Sequence, residues 1–168
     1  MQMHTHFPLH KMLQAYIACC RPVCQEMKLP QTAFDILMFL ANNPEYNTAR
    51  DIVKIRGIKA NLVSINVDKL VNEGYIERKS VPGDRRKTCL TCTEKAMPLI
   101  EQGRTIQTLF FQELFKTIDP ETLKIFQRVI HAVEKNLDRM IEQPLSFKKE
   151  QQHIDFHKPE IERTKSNT

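Results

Sequence analysis

Three consecutive cations, Arg85, Arg86 and Lys87, follow the turn-forming pair Pro82-Gly83 and the carboxylate of Asp84. Like charges at adjacent positions repel one another, and an anion that binds between them relieves this repulsion. A guanidinium pairs with a phosphate through two parallel hydrogen bonds, and a neighbouring carboxylate can hold its plane. The segment therefore favours contact with a phosphate backbone, with Asp84 orienting a neighbouring arginine. A solvated turn without a ligand is the alternative.

The net charge of the chain is concentrated around this segment. Residues 50–87 contain ten Lys or Arg and five Asp or Glu, which gives a net charge of +5. The whole chain has 25 basic and 20 acidic residues, so the remainder has 15 of each sign and is neutral. A surface that binds a polyanion requires such a local excess. A basic face that is merely solvated stays open as the alternative.

The helix predicted from Lys59 to Gly74 offers a second candidate surface. Val63, Val67 and Leu70 share one face of it and are predicted to be buried. The candidate DNA contacts on this helix are Lys59, Asn61, Leu62, Ser64, Ile65 and Lys69, and Asp68 shares their face. Amides and hydroxyls can read base edges in a major groove, and an aliphatic side chain can contact a thymine methyl. A plain amphipathic helix with a polar outer face is the alternative.

Three helices are predicted before this one. The first runs from Leu9 to about Lys28, and Pro22 is expected to kink or divide it because proline lacks a backbone donor. The second spans Gln31 to Ala41. The third begins at a capping box formed by Thr48 and Asp51, and Gly57 ends it. Because Gly57 leaves almost no room for a loop, the third and fourth helices form a helix-turn-helix candidate.

Two segments of strand length flank the charged turn. Tyr75 to Val81 and Thr88 to Cys92 are rich in β-compatible residues and predict a hairpin. A hairpin directly after a helix-turn-helix is the winged-helix arrangement, in which the hairpin tip can contact the DNA backbone and minor groove. The predicted fold is therefore mainly α with a small β-hairpin wing: a winged helix-turn-helix flanked by N- and C-terminal dimerisation helices.

Two further helices are predicted after the hairpin. A fifth starts at Thr93-Glu94, and Asp119-Pro120-Glu121 combines a cap, an N1 proline and an acidic first turn for a sixth. The apolar residues of the sixth recur at spacings of three and four: Leu123, Phe126, Ile130, Val133, Leu137 and Met140. A stripe sustained over a long helix needs a partner, which is either a second chain or other parts of the same chain.

The region from Ile52 to Thr93 resembles the MarR family of bacterial transcription regulators. The residues that carry the resemblance are Gly57-Ile58, Leu62-Val63-Ser64, Asp68-Lys69-Leu70, Glu73-Gly74-Tyr75-Ile76, Gly83-Asp84-Arg85-Arg86 and Leu90-Thr91-Cys92-Thr93. The resemblance implies a homodimer that binds palindromic operators in double-stranded DNA, usually as a repressor, with a small-molecule effector site near the junction of the DNA-binding lobe and the dimer helices. The sequence departs from the family at Lys59, where a Ser or Thr cap is common, and at Arg56, where an apolar residue is common.

These elements predict a division of the chain into four segments. Residues 1–28 form an N-terminal arm and first dimerisation helix, 29–93 the DNA-binding lobe, 94–143 the C-terminal dimerisation helices, and 144–168 a flexible tail. No Gly-rich phosphate loop, nucleophile elbow or zinc-protease motif is present, so no enzyme activity, catalytic residue or cofactor is predicted. The absence of a long apolar run and of a secretory signal predicts a cytoplasmic protein that does not enter the membrane.

The five cysteines allow a second hypothesis. An odd number of cysteines in a chain that can bury a core favours reduced thiols. One branch of the family senses organic peroxides through a cysteine of the first helix, so Cys19, Cys20 and Cys24 are candidate redox residues; inert buried thiols are the favoured alternative. Cys89 and Cys92 fall on opposite faces of a strand, so no metal site is predicted. A winged helix that serves as a protein-interaction module is a third possibility.

Overall fold

The computed structural model describes residues 8–81 and 84–144, without the side chains of residue 81 and of residues 84–87. In this part of the chain, six α-helices accompany a two-stranded antiparallel hairpin, which confirms the predicted fold class. The elements are α1 (Leu9–Glu26), α2 (Gln31–Asn42), α3 (Ala49–Arg56), α4 (Ala60–Asn72), β1 (Ile76–Val81), β2 (Asp84–Cys92), a 3-10 turn (Glu94–Ala96), α5 (Met97–Leu114) and α6 (Pro120–Glu142). The chain divides into two compact units after Thr117.

The core of the first unit forms around α2, which is buried on more than one face. Seven of its twelve residues are buried: Ala33, Phe34, Ile36, Leu37, Met38, Phe39 and Leu40. The second half of α1, Ile52 of α3, the predicted face of α4 and the base of the hairpin pack into the same cluster. Ile100 of α5 is also buried, so the start of α5 belongs to this core.

Helix α1 is continuous from Leu9 to Glu26, so the predicted division at Pro22 does not occur, whereas the predicted kink stays a prediction. Proline removes one backbone donor, and the helix continues because Cys20, Val23 and Cys24 are buried on either side of it. The helix ends in a turn in which Lys28 has a φ of 52° and the Leu29 amide donates to the Cys24 carbonyl at 2.9 Å. This conformation is usually taken by glycine, since a Cβ is disfavoured there.

The predicted capping box at the start of α3 is confirmed. Thr48 Oγ1 accepts from the Asp51 amide at 3.1 Å, and Asp51 Oδ2 accepts from the Thr48 amide at 3.0 Å. Gly57 ends the helix with a φ of 64°, and α4 begins at Ala60. Helices α3 and α4 are therefore joined by the tight glycine turn that the sequence predicted.

The hairpin differs from the prediction at its distal end. Strand β2 begins at Asp84, four residues before the predicted Thr88, so the basic segment belongs to the strand and not to a loop. Ser80 pairs with Thr88, whereas Val81 pairs with Asp84, and Arg85–Lys87 are the extra residues of β2 at this irregularity. Such a bulge depends on pairing between the strands, which turn residues alone do not predict. At its base, the Leu90 amide donates to the Asn47 carbonyl at 2.7 Å, which ties β2 to the loop before α3.

The two C-terminal helices differ in how much of their apolar surface is covered. Leu99, Ile100 and Gly103 of α5 are buried, whereas Leu109 and Phe111 in its second half are exposed. Helix α6 begins as predicted: Asp119 Oδ1 accepts from the amides of Glu121 and Thr122, each at 3.0 Å. Helix α6 belongs to the second unit, and none of its residues from Pro120 to Glu142 is buried.

Candidate nucleic-acid interface

Helix α4 presents the polar face that the sequence predicted. Asn61, Leu62, Ser64 and Ile65 are exposed, and Ile65 has 62% of its surface accessible. We call these four residues the recognition face. Val63, Val67 and Leu70 are buried on the opposite side. The helix can therefore contact a large ligand with one face while the other stays anchored in the core.

The start of α4 is open to an anion. Lys59 occupies the N-cap position, is exposed, and makes no side-chain hydrogen bond to the first turn. The first backbone donor used within the helix is the amide of Val63, which bonds to the Lys59 carbonyl at 3.0 Å. Earlier amides of a helix have no intrahelical acceptor and can donate to a phosphate. Because Lys59 replaces the usual Ser or Thr cap, free backbone amides and a positive charge lie together at the start of α4.

Asn66 is a buried residue that the sequence analysis did not place. It is 6% exposed, and its Nδ2 donates to the Leu62 carbonyl one turn earlier at 2.8 Å. A buried amide costs stability unless it is hydrogen-bonded, and this bond satisfies one donor locally. Asn66 is therefore a structural residue of α4 and does not belong to the recognition face.

Several cations of the basic region, residues 50–87, lie on α3, α4 and β1, and some of them form ion pairs with acidic residues. Lys69 pairs with Glu73 at 3.3 Å within α4, and Lys79 pairs with Glu77 at 2.7 Å on β1. Arg50, Lys54 and Arg56 are exposed on α3 and add to the same charge excess. The side chains of Asp84, Arg85, Arg86 and Lys87 lie outside the described residues; their backbone forms the start of β2. The predicted pairing of Asp84 with an arginine stays a prediction.

An ion pair between α4 and β1 was not predicted from the sequence. Arg78 Nη2 donates to Asp68 Oδ1, and both side chains are partly exposed. The two residues are ten positions apart, so no helical or strand periodicity signals their contact. The signal that could have found them is the tight turn at Gly74, which folds β1 back beside the end of α4.

A cleft separates the helix-turn-helix from the hairpin. It has a volume of about 390 Å³, and its floor includes Val63, Val67 and Leu90. Arg50, Ser64 and Arg78 also line it. The hairpin therefore lies beside the recognition face without filling all the space between them.

A second, smaller cavity lies among α1, α2, α3 and α5. Its volume is about 110 Å³, and the side chains that line it include Tyr16, Asp35, Asn42, Arg56 and Gln107. Gln107 Nε2 donates to the Tyr16 hydroxyl at 3.2 Å, and Asn42 Nδ2 donates to Gln107 Oε1 at 3.1 Å. Burial raises the pKa of Tyr16, so its hydroxyl keeps its proton at neutral pH. Burial also raises the pKa of Asp35, against the opposing effects of the Gln31 hydrogen bond and the Arg56 charge.

The first-helix cysteines have different environments. Cys20 and Cys24 are buried, whereas Cys19 is exposed. Burial raises the pKa of Cys20, and it raises the pKa of Cys24 to about 11. Peroxides react with the thiolate, which these two sites disfavour at neutral pH. Burial therefore makes Cys20 and Cys24 poor candidates for reaction with a peroxide, and for the exposed Cys19 the redox role stays a hypothesis. Among the described residues, no three His, Cys, Asp or Glu side chains are grouped so that they could hold a metal ion.

Residues 28–87, which include the helix-turn-helix and most of the hairpin, match the model of the MarR family. The winged-helix region of this chain is therefore similar to that of the MarR family. Members of this family are transcriptional regulators and not enzymes, which agrees with the predicted lack of catalytic activity. The resemblance noted from the sequence is thereby confirmed over the winged helix.

Solved structures share the fold over most of the chain. The transcriptional regulator PA3341 is 24% identical, with a TM-score of 0.69 over 78% of this chain and 96% of its own. A MarR family regulator from Listeria monocytogenes in complex with a 26mer DNA is 16% identical, with a TM-score of 0.70 over 82% of this chain and 93% of its own. BpsR from Bordetella bronchiseptica is 21% identical, with a TM-score of 0.59 over 75% of this chain and 95% of its own. In the part of the chain that the structure describes, no helix is both long and apolar enough to cross a membrane.

Proposed function

We propose that this chain is a homodimeric repressor of the MarR family that binds a palindromic operator in double-stranded DNA and is released by a small-molecule effector. The observation that carries the proposal is the contrast between the two faces of α4. Its recognition face is exposed beside the hairpin, whereas Val63, Val67 and Leu70 are buried and anchor the helix in the core. The relative from Listeria monocytogenes, in complex with DNA, supports the same use of this fold.

The contacts divide into two classes. Cations and open helix amides contact phosphates and supply affinity at every sequence, whereas side chains in the major groove discriminate between bases. We assign Lys59, Lys69, Arg85, Arg86 and Lys87 to the first class, with Asp84 orienting an arginine. We assign Asn61, Leu62, Ser64 and Ile65 to the second. Affinity should therefore fall steeply as the salt concentration rises.

The exposed apolar residues support a homodimer. Val133 and Leu137 on α6 are 45% and 51% exposed, and Leu9 and Leu13 at the start of α1 are also exposed. A second copy would cover these surfaces and place two recognition helices about one turn of DNA apart. Residues 29–93 would then contact DNA, whereas 1–28 and 94–143 would hold the two copies together.

The polar cavity supports release by an effector. It joins Tyr16 and Gln107 of α1 and α5 to Arg56, the last residue of α3. A small polar molecule with both donor and acceptor groups would match the hydroxyl, amides, carboxylate and guanidinium that line it. The DNA binding of BpsR is regulated by 6-hydroxynicotinic acid. An effector of this chain would act by binding more tightly to a state in which the recognition helices no longer match the operator.

Selection of bound duplexes from a random pool tests the DNA-binding proposal. We expect an enriched sequence with two-fold symmetry and half-sites about ten base pairs apart. Duplex binding that does not depend on salt or sequence would contradict the proposal. Failure to bind any duplex would favour the protein-interaction alternative.

Two substitutions test the division of contacts. Arg86→Ala should weaken binding to every duplex and reduce the salt dependence, whereas Asn61→Ala should change the preferred sequence. Lys116→Ala is the charge-matched control for Arg86→Ala, because Lys116 pairs with Glu113 just beyond the end of α5. Equal losses from Arg86→Ala and Asn61→Ala on all sequences would argue against two classes of contact.

A further inference from the structure

Arg78 lies on the face of the hairpin that lines the cleft, and its side chain stays 42% exposed. Side chains alternate between the two faces of a strand, so Arg78 shares its face with Ile76, which is 2% exposed. Its partner across the hairpin is Leu90, which is also buried. Arg78 is thus directed toward the helix-turn-helix, and there its Nη2 donates to Asp68 Oδ1.

Asp68 is the one acidic residue in the sequence of α4, residues 60–72. It follows Ser64 by one helical turn and therefore lies on the side that would contact DNA. A carboxylate beside phosphates opposes binding through charge repulsion. A carboxylate at this position is therefore expected to have another role that offsets the repulsion. The structure shows its side chain in an ion pair with Arg78.

Packing fixes the base of the hairpin but does not fill the space between the hairpin and the helix-turn-helix. The cleft of about 390 Å³ between the hairpin and the helix-turn-helix is lined by Val63, Val67 and Leu90, so apolar side chains do not fill this space. Arg78 lines the same cleft and joins its two sides through Asp68. This single charge-assisted hydrogen bond is the described side-chain contact that links the strand to the helix across the cleft.

We propose that Asp68 is a positioning residue that holds Arg78, and with it the wing, at a fixed angle to the recognition face before DNA binds. This inference rests on the proposed DNA-binding function. Two elements that must contact one duplex together bind more tightly when their relative orientation is set in advance, because less ordering is required on binding. Asp68 thus supports DNA binding although its charge opposes it.

The substitution Asp68→Asn distinguishes the positioning role from simple charge repulsion, because the two predict opposite changes in DNA affinity. Removal of a negative charge beside DNA should tighten binding, whereas loss of the positioning contact should weaken it, by about fivefold. Glu73→Gln is the matched control: it makes the same change in charge at the end of α4 but breaks a contact with Lys69 of that helix. It should not weaken binding.

A second measurement needs no DNA. Hydrogen exchange of the amides of Ile76–Val81 should accelerate in Asp68→Asn and in Arg78→Gln, and should not change in Glu73→Gln. The double variant Asp68→Asn with Arg78→Gln should exchange no faster than either single variant, because both remove the same contact.

The proposal requires both results. Unchanged or tighter DNA binding by Asp68→Asn overturns it, and so does weaker binding without faster exchange in the hairpin, which would indicate a direct contact of Asp68 with DNA. If the wild-type chain binds no duplex, the proposed function fails. The exchange data would then still decide whether Asp68 positions the wing.

Discussion

Helices α4 and α6 are both amphipathic, but only α4 contains buried residues. In α4, Val63, Asn66, Val67 and Leu70 are buried, and the exposed face is available to a ligand. In α6, a stripe with the same periodicity has no buried member between Pro120 and Glu142. Apolar residues at helical spacing therefore predict a surface that becomes buried. They do not indicate whether the same chain or a second chain buries it.

The largest expected effect is the loss of the proposed dimer. Val133→Asp places a charge in the exposed stripe of α6, where a second copy would bury it. We expect monomers in light scattering and a loss of operator affinity of about 100-fold, because the two half-sites would no longer be bound together. Gln127→Asp adds the same charge to α6 outside the stripe and should remain dimeric. A dimeric Val133→Asp protein would show that this stripe is not the interface.

Matched leucine truncations test the contrast between the two helices. Leu70 of α4 is fully buried, and Leu70→Ala should lower the free energy of unfolding by about 2–5 kcal/mol. Leu137 of α6 is 51% exposed in the single chain, so Leu137→Ala should leave the monomer nearly as stable. Chemical denaturation in the monomeric Val133→Asp background measures both. Similar losses in that background would mean that α6 is covered within one chain.

Helix α5 changes from covered to uncovered along its length, and Gly103 lies at the last buried position. A Cβ there would meet the thioether of Met38 and come within 3.1 Å of Phe34 Cζ. Overpacking in Gly103→Ala should lower the free energy of unfolding by about 1–3 kcal/mol. The higher helix propensity of alanine should offset part of this loss. Thermal unfolding measures the change. Gln102→Ala at the exposed neighbouring position should be close to neutral, and a neutral Gly103→Ala would show that α2 and α5 can separate there.

The smallest expected effect concerns the turn between α1 and α2. Lys28 has a φ of 52°, which costs a residue with a Cβ about 1 kcal/mol. Lys28→Gly should raise the free energy of unfolding by up to about that amount, whereas Lys28→Ala keeps the strain and should give no gain. Denaturant titration compares the three proteins. Equal stability of the glycine and alanine variants would place the strain elsewhere.

The capped helix starts were predictable because their chemistry is local. Thr48 with Asp51, and Asp119 before Pro120, satisfy amides within three residues, and both caps form as the sequence predicted. The buried face of α4 was predictable for the same reason, since a period of 3.6 residues assigns side chains to faces without reference to the rest of the fold.

Features that depend on distant parts of the chain were not predictable. The early start of β2 at Asp84 follows from the pairing of Val81 with Asp84 across an irregular register. Pro22 stays inside a continuous α1, whose neighbouring residues are buried in the core. The contact of Asp68 with Arg78 requires the hairpin to fold back beside α4, which only non-local packing arranges.

Local sequence patterns were sufficient to predict the order of the helices, their caps and which face of each helix is polar. The tertiary structure was needed to decide which apolar faces are covered, where the polar cavity forms, and which charges on different elements meet. Periodicity and capping act within a few residues, whereas burial and ion pairing between elements depend on residues far apart in the sequence.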